Sequence, residues 1–305
     1  MLRYTYTFII RCRIIYCLMV LLSCCVLTRA QNKRALVIGI SNYQRATEND
    51  WSKIHGTNDV SLISPVLKKQ GFKITKLCNE VATAKKIRKE FENLVKSSKT
   101  GDIVYIHFSG HGQPVEDYDG DEEDGWDEAI IPYDTKKTFQ KGIYEGANHI
   151  TDDEIYSFLQ RLRRTVGSKG FIYLVVDACH AGEASRGEEE NEEDGDTIYI
   201  RGTKKGFSPN GKEFRPRINA TGHFVIPRET GLSDILAMEA CRSYQSNCEI
   251  KQSGYYYGPL SYYIYKVLSN QKISGDIDWV LKVRNLMNSD RRVARQNMVY
   301  ETSLK

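Results

Sequence analysis

Apolar runs of strand length alternate along the chain with longer segments in which apolar residues recur every three or four positions. The runs predict strands and the periodic segments predict helices. The predicted strands are Ala35–Ile40, Phe72–Leu77, Ile103–Phe108, Phe171–Val176 and Ile235–Ala240. The predicted helices are Asp59–Gln70, Thr83–Lys96, Asp152–Thr165, Pro259–Ser269 and Asp276–Met287. This alternation predicts an α/β fold in which a mostly parallel sheet carries helices on both faces.

Two local features qualify the predicted helices. Thr151 and Glu154 are spaced as a capping box at the start of the third helix. Pro65 lies inside the first helix, where it removes a backbone donor and predicts a kink.

Two of the predicted strands end in small residues around a reactive side chain. The strand ends read Ser109-Gly110-His111-Gly112 and Asp177-Ala178-Cys179-His180-Ala181-Gly182. Parallel strands end at the same edge of a sheet, where open α/β sheets place ligand chemistry. A thiol beside an imidazole is sufficient for cysteine-nucleophile catalysis. Cys179 and His111 are therefore predicted to form a catalytic dyad, whereas His180 is expected to be structural.

Each residue of this pair also has an ordinary structural explanation. A free cysteine after an apolar strand is most often a small buried hydrophobe, and a single histidine at a strand end is often hydrogen-bonded within the fold. The small residues on both sides of Cys179 and His111 favour catalysis, because they let a substrate backbone approach closely.

Three blocks of the sequence resemble the metacaspases, which are caspase-fold cysteine proteases. The blocks are Ser109–Gly112, Asp119–Asp134 and Asp177–Gly182, with further likeness in Arg34–Ile40 and Gly56–Asp59. The resemblance extends from about Arg34 to about Gln245. It implies a caspase-like, three-layer α/β/α fold and cysteine endopeptidase activity after arginine or lysine.

The resemblance also implies roles for residues around the dyad. The backbone amides of Gly112 and Cys179 would form the oxyanion hole. Asp59, Ser109 and Asp177 would line the pocket for the basic P1 side chain, since buried carboxylates need a cationic partner. Asp59 also fits a helix N-terminus, where the dipole favours a carboxylate. The family commonly has a cysteine at the position of Gly56, which leaves the shape of the pocket open.

The acidic segment from Asp117 to Glu128 is a candidate calcium site. Its spacing approaches that of an EF-hand loop, but Glu122 occupies the position that requires glycine. The resemblance implies a different site, formed by Asp127, Asp152 and Asp153, and Arg186 stands where the family has a further acidic ligand. We expect calcium as an activator of reduced affinity and no cofactor for the chemistry itself. A solvated acidic loop is the alternative.

A long insert, residues 183–233, separates Cys179 from the last predicted strand. It is polar, with an acidic run from Glu188 to Asp196, and a loop of this length is usually functional or disordered. The resemblance implies an activation linker between a large-subunit-like region, residues 34–182, and a small-subunit-like region, residues 234–305. Arg201, Lys204 and Lys205 are the candidate cleavage sites.

The first thirty residues predict a secretory signal peptide. Its parts are the basic residues Arg3, Arg11 and Arg13, the apolar segment Ile14–Leu27, and Thr28-Arg29-Ala30 before a cut at Gln31. This leaves residues 31–305 as a single peptidase domain and predicts an exported protein, periplasmic or secreted. An uncleaved anchor, or a lipoprotein acylated at Cys24, is the alternative and the only expected route to a membrane.

Composition limits the remaining possibilities. A net charge of +4 without a basic stripe argues against nucleic acid as a partner. The cysteines beyond the signal peptide, Cys78, Cys179, Cys241 and Cys248, are too few for a disulfide framework, although the last two could pair. We expect a monomer that acts on a peptide or protein with Arg or Lys at the cleavage site. The alternatives are a clostripain- or gingipain-like Arg-specific protease and a catalytically silent caspase-fold binding module.

Overall fold

The computed structural model describes residues 31–44, 50–179, 198–203, 205–215, 223–273, 275–293 and 296–304. The strands are β1 (Lys33–Gly39), β2 (Lys73–Cys78), β3 (Ile103–Ser109), β4 (Gly112–Glu116), β5 (Trp126–Ile130), β6 (Ile150–Thr151), β7 (Phe171–Asp177), β8 (His223–Val225), β9 (Asp234–Glu239), β10 (Ile250–Gln252), β11 (Tyr255–Tyr257) and β12 (Val299–Thr302). The helices are α1 (Gly56–Lys69), α2 (Ala84–Ser97), α3 (Asp152–Val166), α4 (Pro259–Leu268) and α5 (Asp278–Ser289).

Within these residues, the main sheet has seven strands in the order β2-β1-β3-β7-β9-β12-β8. The strands from β2 to β9 are parallel, β12 is antiparallel to β9, and β8 is parallel to β12. A second sheet, β4-β5-β6, and the hairpin β10-β11 are antiparallel.

Helices cover both faces of the main sheet. Ala35 and Val37 of β1 pack in the core beneath α1, α4 and α5, whereas Leu36 and Ile38 pack in the core beneath α2 and α3. Because alternate side chains of a strand point to opposite faces, a strand buried on both faces needs an uninterrupted apolar run. The predicted three-layer α/β/α arrangement is therefore confirmed.

The predicted strands and helices are also confirmed, with ends that differ by at most three residues. Helix α1 continues through Pro65. Pro65 and Ser61, whose carbonyl loses its helical donor, are both exposed, so water can satisfy that carbonyl. Only half of the predicted capping box forms. Thr151 caps the amide of Glu154, but the Glu154 carboxylate pairs with Arg88 at 2.7 Å.

Several elements were not predicted from the sequence. They are the β4-β5-β6 sheet, the hairpin β10-β11, and strands β8 and β12. The described part of the 183–233 insert is ordered, since it contains β8 and the fully buried Arg201. The predicted signal peptide lies outside the described residues. Within the described ranges, no helix has the length and apolarity needed to cross a membrane.

Candidate active site

The candidate nucleophile and base follow neighbouring strands. Strands β3 and β7 pair in parallel with Ser109 opposite Asp177, and His111 and Cys179 each follow two residues later. The Gly110 amide donates to the Asp177 carbonyl at 3.4 Å, so the two strand ends stay together beyond the sheet. The predicted pair is thus brought to one edge of the sheet, and both side chains are buried.

His111 is arranged to accept a proton. Its Nε2–H donates to the Ser52 carbonyl at 3.0 Å, which leaves Nδ1 as the basic nitrogen. Nδ1 is buried and has no hydrogen-bond partner among the described residues. The ring stacks on Trp51 at 4.9 Å. Burial lowers the pKa of His111 to about 4, so the imidazole is neutral and able to act as a base at pH 7.

The Cys179 thiol is not hydrogen-bonded to this base in the structure. It donates to the Gln245 carbonyl at 2.7 Å, and the thiol of Cys241 lies 3.4 Å from the same oxygen. A hydrogen bond with Cys179, followed by burial, raises the pKa of Cys241 well above its ordinary value. The four described cysteines outside residues 1–30 are free, so the suggested pairing of Cys241 with Cys248 does not form in this structure.

Both predicted oxyanion-hole amides donate to one carbonyl oxygen of the protein itself. The amide of Cys179 lies 2.9 Å and that of Gly112 lies 3.2 Å from the oxygen of Arg201. The next residue, Gly202, lies directly against the nucleophile, because a Cβ there would be 3.0 Å from the Cβ of Cys179. The Arg201–Gly202 peptide bond therefore occupies the position of a bond under attack.

The residues before Arg201 lie extended along the cleft. The Arg201 amide donates to the Asn247 carbonyl at 3.0 Å, and the Glu249 amide donates to the Tyr199 carbonyl at 2.9 Å. Ile200 pairs with Cys248 in an antiparallel bridge. The residues after the bond continue beside β4, where Gly202 pairs with Gly112 and Phe207 pairs with Val115. The segment is bound as an added strand, which is a common mode of peptide recognition.

The Arg201 side chain fills an acidic pocket that contains all three predicted pocket residues. Its Nη1 lies 2.7 Å from Asp59, 2.6 Å from the Ser109 hydroxyl and 3.5 Å from Asp177. A further carboxylate, which the sequence analysis missed, completes the pocket. Glu249 Oε1 accepts from Arg201 Nε at 3.0 Å and from Nη2 at 2.8 Å.

The charges of this pocket are coupled. Burial alone would lower the pKa of Arg201, but Asp59, Glu249 and Asp177 raise it above its ordinary value. Burial raises the pKa of Asp59 to about 7 against the opposing effect of Arg201. Burial would also raise the pKa of Glu249, but Arg201 and His55 lower it. Arg201 is therefore charged, and its charge is what makes a buried acidic pocket tolerable.

The N-terminus of helix α4 supports two of the carboxylates. The Gly258 amide donates to Asp59 at 3.1 Å, and the Ser261 amide donates to Asp177 at 2.8 Å. Gly258 also leaves room for the guanidinium, since a Cβ there would lie 2.4 Å from Arg201 Nη1. The helix dipole thus favours the negative charge of the pocket.

Gly56 bears on the shape of the same pocket. A Cβ at this position would lie 2.3 Å from the Ser109 carbonyl oxygen. The backbone therefore leaves no room here for the side chain of the cysteine that the family commonly carries at this position.

The acidic residues near β5 form two overlapping groups. Asp117, Asp121 and Asp127 present ligand atoms within 4.8 Å of one another, as do Asp119, Asp121 and Asp153. Asp127 Oδ1 is buried and has no partner among the described residues. Burial, followed by repulsion from Asp152 and Asp153, raises the pKa of Asp127 to about 7.

Asp121 connects Asp127 with Asp153 in place of the expected Asp152. The Asp152 carboxylate accepts from the Glu128 amide at 3.2 Å. The predicted ligands Asp127 and Asp153 therefore belong to different groups, each of which contains two aspartates that were not predicted, and Asp152 belongs to neither group. Clustered carboxylates of this kind, one of them with a buried oxygen that has no partner, fit a hard cation such as calcium.

Several positions named in the sequence analysis, including Cys24, His180, Arg186 and Lys204, lie outside the described residues. Glu249 and Gly258 were missed because neither belongs to a recognisable motif. A signal for Arg201 was present, since Ile198, Tyr199 and Ile200 precede it in an otherwise polar insert.

The metacaspase peptidase C14 domain matches residues 33–186, about half of the chain. Metacaspase-1 of Eremothecium gossypii is 25% identical over an alignment 277 residues long, which covers 79% of this chain and 58% of that protein. Metacaspase-1B of Aspergillus terreus is 38% identical over 104 residues, 34% of this chain and 24% of that protein. A crystal structure of a Geobacter sulfurreducens protein, 19% identical, superposes over 89% of this chain and 93% of that one with a TM-score of 0.59, a likeness of fold alone.

The chain therefore belongs to the metacaspase family of cysteine peptidases. This membership confirms the predicted caspase-like fold class and favours a metacaspase over a clostripain- or gingipain-like protease. The chain spans 24% and 58% of the length of the two metacaspases compared above.

Proposed function

We propose that this protein is a cysteine endopeptidase that cleaves after arginine and cuts its own chain between Arg201 and Gly202. One observation supports the proposal most strongly. The Arg201 carbonyl accepts hydrogen bonds from the amides of both Gly112 and Cys179 while its guanidinium lies among acidic side chains. A peptide bound for attack on its carbonyl requires both contacts at once. By contrast, Lys205 is exposed, whereas Arg201 is fully buried.

In the proposed reaction, the Cys179 thiol turns from Gln245 towards His111 and transfers its proton to Nδ1. The sulfur then attacks the Arg201 carbonyl carbon, and the amides of Gly112 and Cys179 hold the negative oxygen. The bond to Gly202 breaks as the imidazolium returns the proton to the departing nitrogen. A water molecule, deprotonated by His111, hydrolyses the thioester and leaves a carboxylate on Arg201.

The contacts of the guanidinium support a preference for arginine over lysine. Nη1 contacts Asp59, whereas Nε and Nη2 both contact Glu249 on the other side of the pocket. A lysine offers one nitrogen, which satisfies only one of these two carboxylates. The unpaired carboxylate would remain buried, and that cost discriminates against lysine.

Calcium stimulation is part of the same proposal. Asp117, Asp121 and Asp127 would hold the ion, because this group contains the buried Oδ1 of Asp127, with Asp152 and Asp153 adding to the negative potential. The ion would offset the repulsion within the loop that joins β4 to β5. Because β4 begins at Gly112, a more ordered loop would help to fix the position of the Gly112 amide in the oxyanion hole.

We further propose export through residues 1–30 and action as a monomer on peptide or protein substrates. The charge and hydropathy pattern of residues 1–30 supports the first. Completion of the site by residues of one chain supports the second, since the pocket, the amides and the docked segment all belong to the same molecule.

The experiment that tests the proposal follows self-cleavage of the full chain during cell-free translation. The wild type is expected to yield a fragment whose N-terminus, determined by mass spectrometry, is Gly202. Cys179→Ala and His111→Ala should yield none because each removes one member of the dyad. Cys241→Ala is the matched control, since its thiol lies beside Cys179 but has no role in the reaction, and it should still be cleaved.

A fragment from Cys179→Ala, or a cut at another bond, would contradict the proposal. A catalytically silent binding module would leave every variant uncut. It would also fail to react at Cys179 with an arginyl chloromethyl ketone.

A further inference from the structure

We propose that the cleft selects an aromatic side chain at P3, two positions before the arginine, through a subsite formed by His55 and Tyr256. The inference rests on the proposed function and names the class of peptide that this site would cleave. In the docked segment, Arg201 is P1, Ile200 is P2 and Tyr199 is P3.

The extended backbone of the docked segment directs P1 and P3 to the same side. Arg201 and Tyr199 each form a main-chain hydrogen bond with the Asn247–Glu249 segment, and Ile200 lies between them. Because alternate side chains of a strand point to opposite faces, the Tyr199 ring lies on the side of the acidic pocket. Its position therefore follows from the same register that places Arg201.

The Tyr199 ring contacts two aromatic rings. It meets His55 edge-on, with ring centroids 4.5 Å apart and planes at 88°, and it meets Tyr256 at 4.7 Å and 70°. His55 and Tyr256 stack on each other at 5.1 Å and 22°. Edge-to-face contacts at such distances are the favoured geometry for aromatic pairs.

The ring of His55 and the backbone of Tyr256 are held in place by contacts that do not involve Tyr199. The His55 backbone amide and Nδ1 both donate to the Glu249 carboxylate, at 2.8 and 2.6 Å. The Tyr256 carbonyl accepts from the Asn58 side chain at 2.9 Å, which ties the β10-β11 hairpin to α1. A subsite fixed in advance loses little entropy when a ring enters it.

Glu249 joins the P3 subsite to the P1 pocket. The carboxylate that receives the guanidinium of Arg201 is the one that positions His55. By contrast, the P4 residue Ile198 is 43% exposed, so little discrimination is expected there.

The test measures kcat/KM of the self-processed wild-type protein on fluorogenic peptides of the form acetyl-Ile-Xaa-Ile-Arg. Tyrosine at P3 should exceed alanine by about tenfold, since two ring contacts are lost. Replacement of the P4 isoleucine with alanine should change kcat/KM by less than about threefold, because an exposed side chain contributes little.

Tyr256→Leu should reduce the tyrosine-to-alanine ratio to less than about threefold, because it removes one ring of the subsite. Tyr255→Leu is the matched control. Tyr255 lies in the same strand but is 61% exposed, so this variant should keep the ratio.

Equal kcat/KM for tyrosine and alanine at P3 in the wild type would overturn the inference, while the proposed function would stand. This comparison does not depend on the folding of any variant. A preference that survives Tyr256→Leu would also overturn it. If the wild type hydrolyses none of the arginine peptides, both the inference and the proposed function are overturned.

Discussion

Replacing Arg201 with lysine tests how the acidic pocket selects its side chain. Arginine presents Nε and Nη2 to Glu249 at 3.0 and 2.8 Å and Nη1 to Asp59 at 2.7 Å. Lysine keeps the charge but has one nitrogen, which leaves one of these buried carboxylates without its partner. A hydrogen bond to a charged group contributes about 1.5–3 kcal/mol. Self-cleavage of Arg201→Lys should therefore be roughly 10- to 150-fold slower than that of the wild type.

The assay follows the appearance of the Gly202 N-terminus over time in freshly translated protein. Lys205→Arg is the control, because it makes an equally conservative change at an exposed position of the same segment. Glu249→Gln should reduce the difference in self-cleavage rate between arginine and lysine at position 201. Only arginine contacts both Asp59 and Glu249, and this variant removes the Glu249 carboxylate. Cleavage of Arg201→Lys at the wild-type rate would refute this account of the pocket.

Two further predictions concern the pocket floor and the acidic loop. Gly258→Ala should raise KM for arginine peptides and block self-cleavage, because its Cβ would lie 2.2 Å from Asp177 Oδ2. Gly275→Ala is the control and should leave both unchanged, since its Cβ would lie 3.9 Å from its nearest neighbour. Thermal melting checks that both variants fold. The pKa of Asp127 is raised from 3.8 to about 7, so the folded state holds a proton that the unfolded state releases, and stability should fall as pH rises through this range. Millimolar calcium should then raise Tm by about 3 °C at pH 8. It should not raise Tm at pH 5 or in Asp127→Asn. A Tm that is independent of calcium at pH 8 would contradict the proposal that these aspartates bind calcium.

The sequence was most informative where structure is determined locally. The run Phe171–Val176 is apolar throughout because β7 is buried on both faces, and its short length and β-branched residues favour a strand over a buried helix. His111 and Cys179 were recognisable because each follows such a strand and lies among small residues. Their juxtaposition needed only the assumption that β3 and β7 are parallel neighbours, which is correct.

What the sequence did not reveal depends on contacts between distant segments. Glu249 enters the pocket because Arg201 pairs with Asn247, a register that neither segment specifies alone. The need for a glycine at position 258 becomes apparent only when the position of Arg201 Nη1 is known. The insert was interpreted from its polar composition, and that average concealed the buried residues Arg201 and Phe207. Composition describes a segment as a whole, whereas docking depends on a few of its residues.

The docked segment and the orientation of the thiol together explain how an uncut chain can persist with its own bond in the cleft. The carbonyl of Arg201 is already bound by both amides, so positioning of the peptide is complete. The step still required is the movement of the Cys179 thiol from the Gln245 carbonyl to the unpartnered Nδ1 of His111. That carbonyl belongs to the loop after β9, which also carries Cys241, so movement of this loop would alter the hydrogen bond that holds the thiol. Activation in the proposed mechanism therefore concerns the nucleophile more than the substrate, and release of the Cys179 thiol should appear in the rate of the cut, with little change in occupancy of the pocket by Arg201.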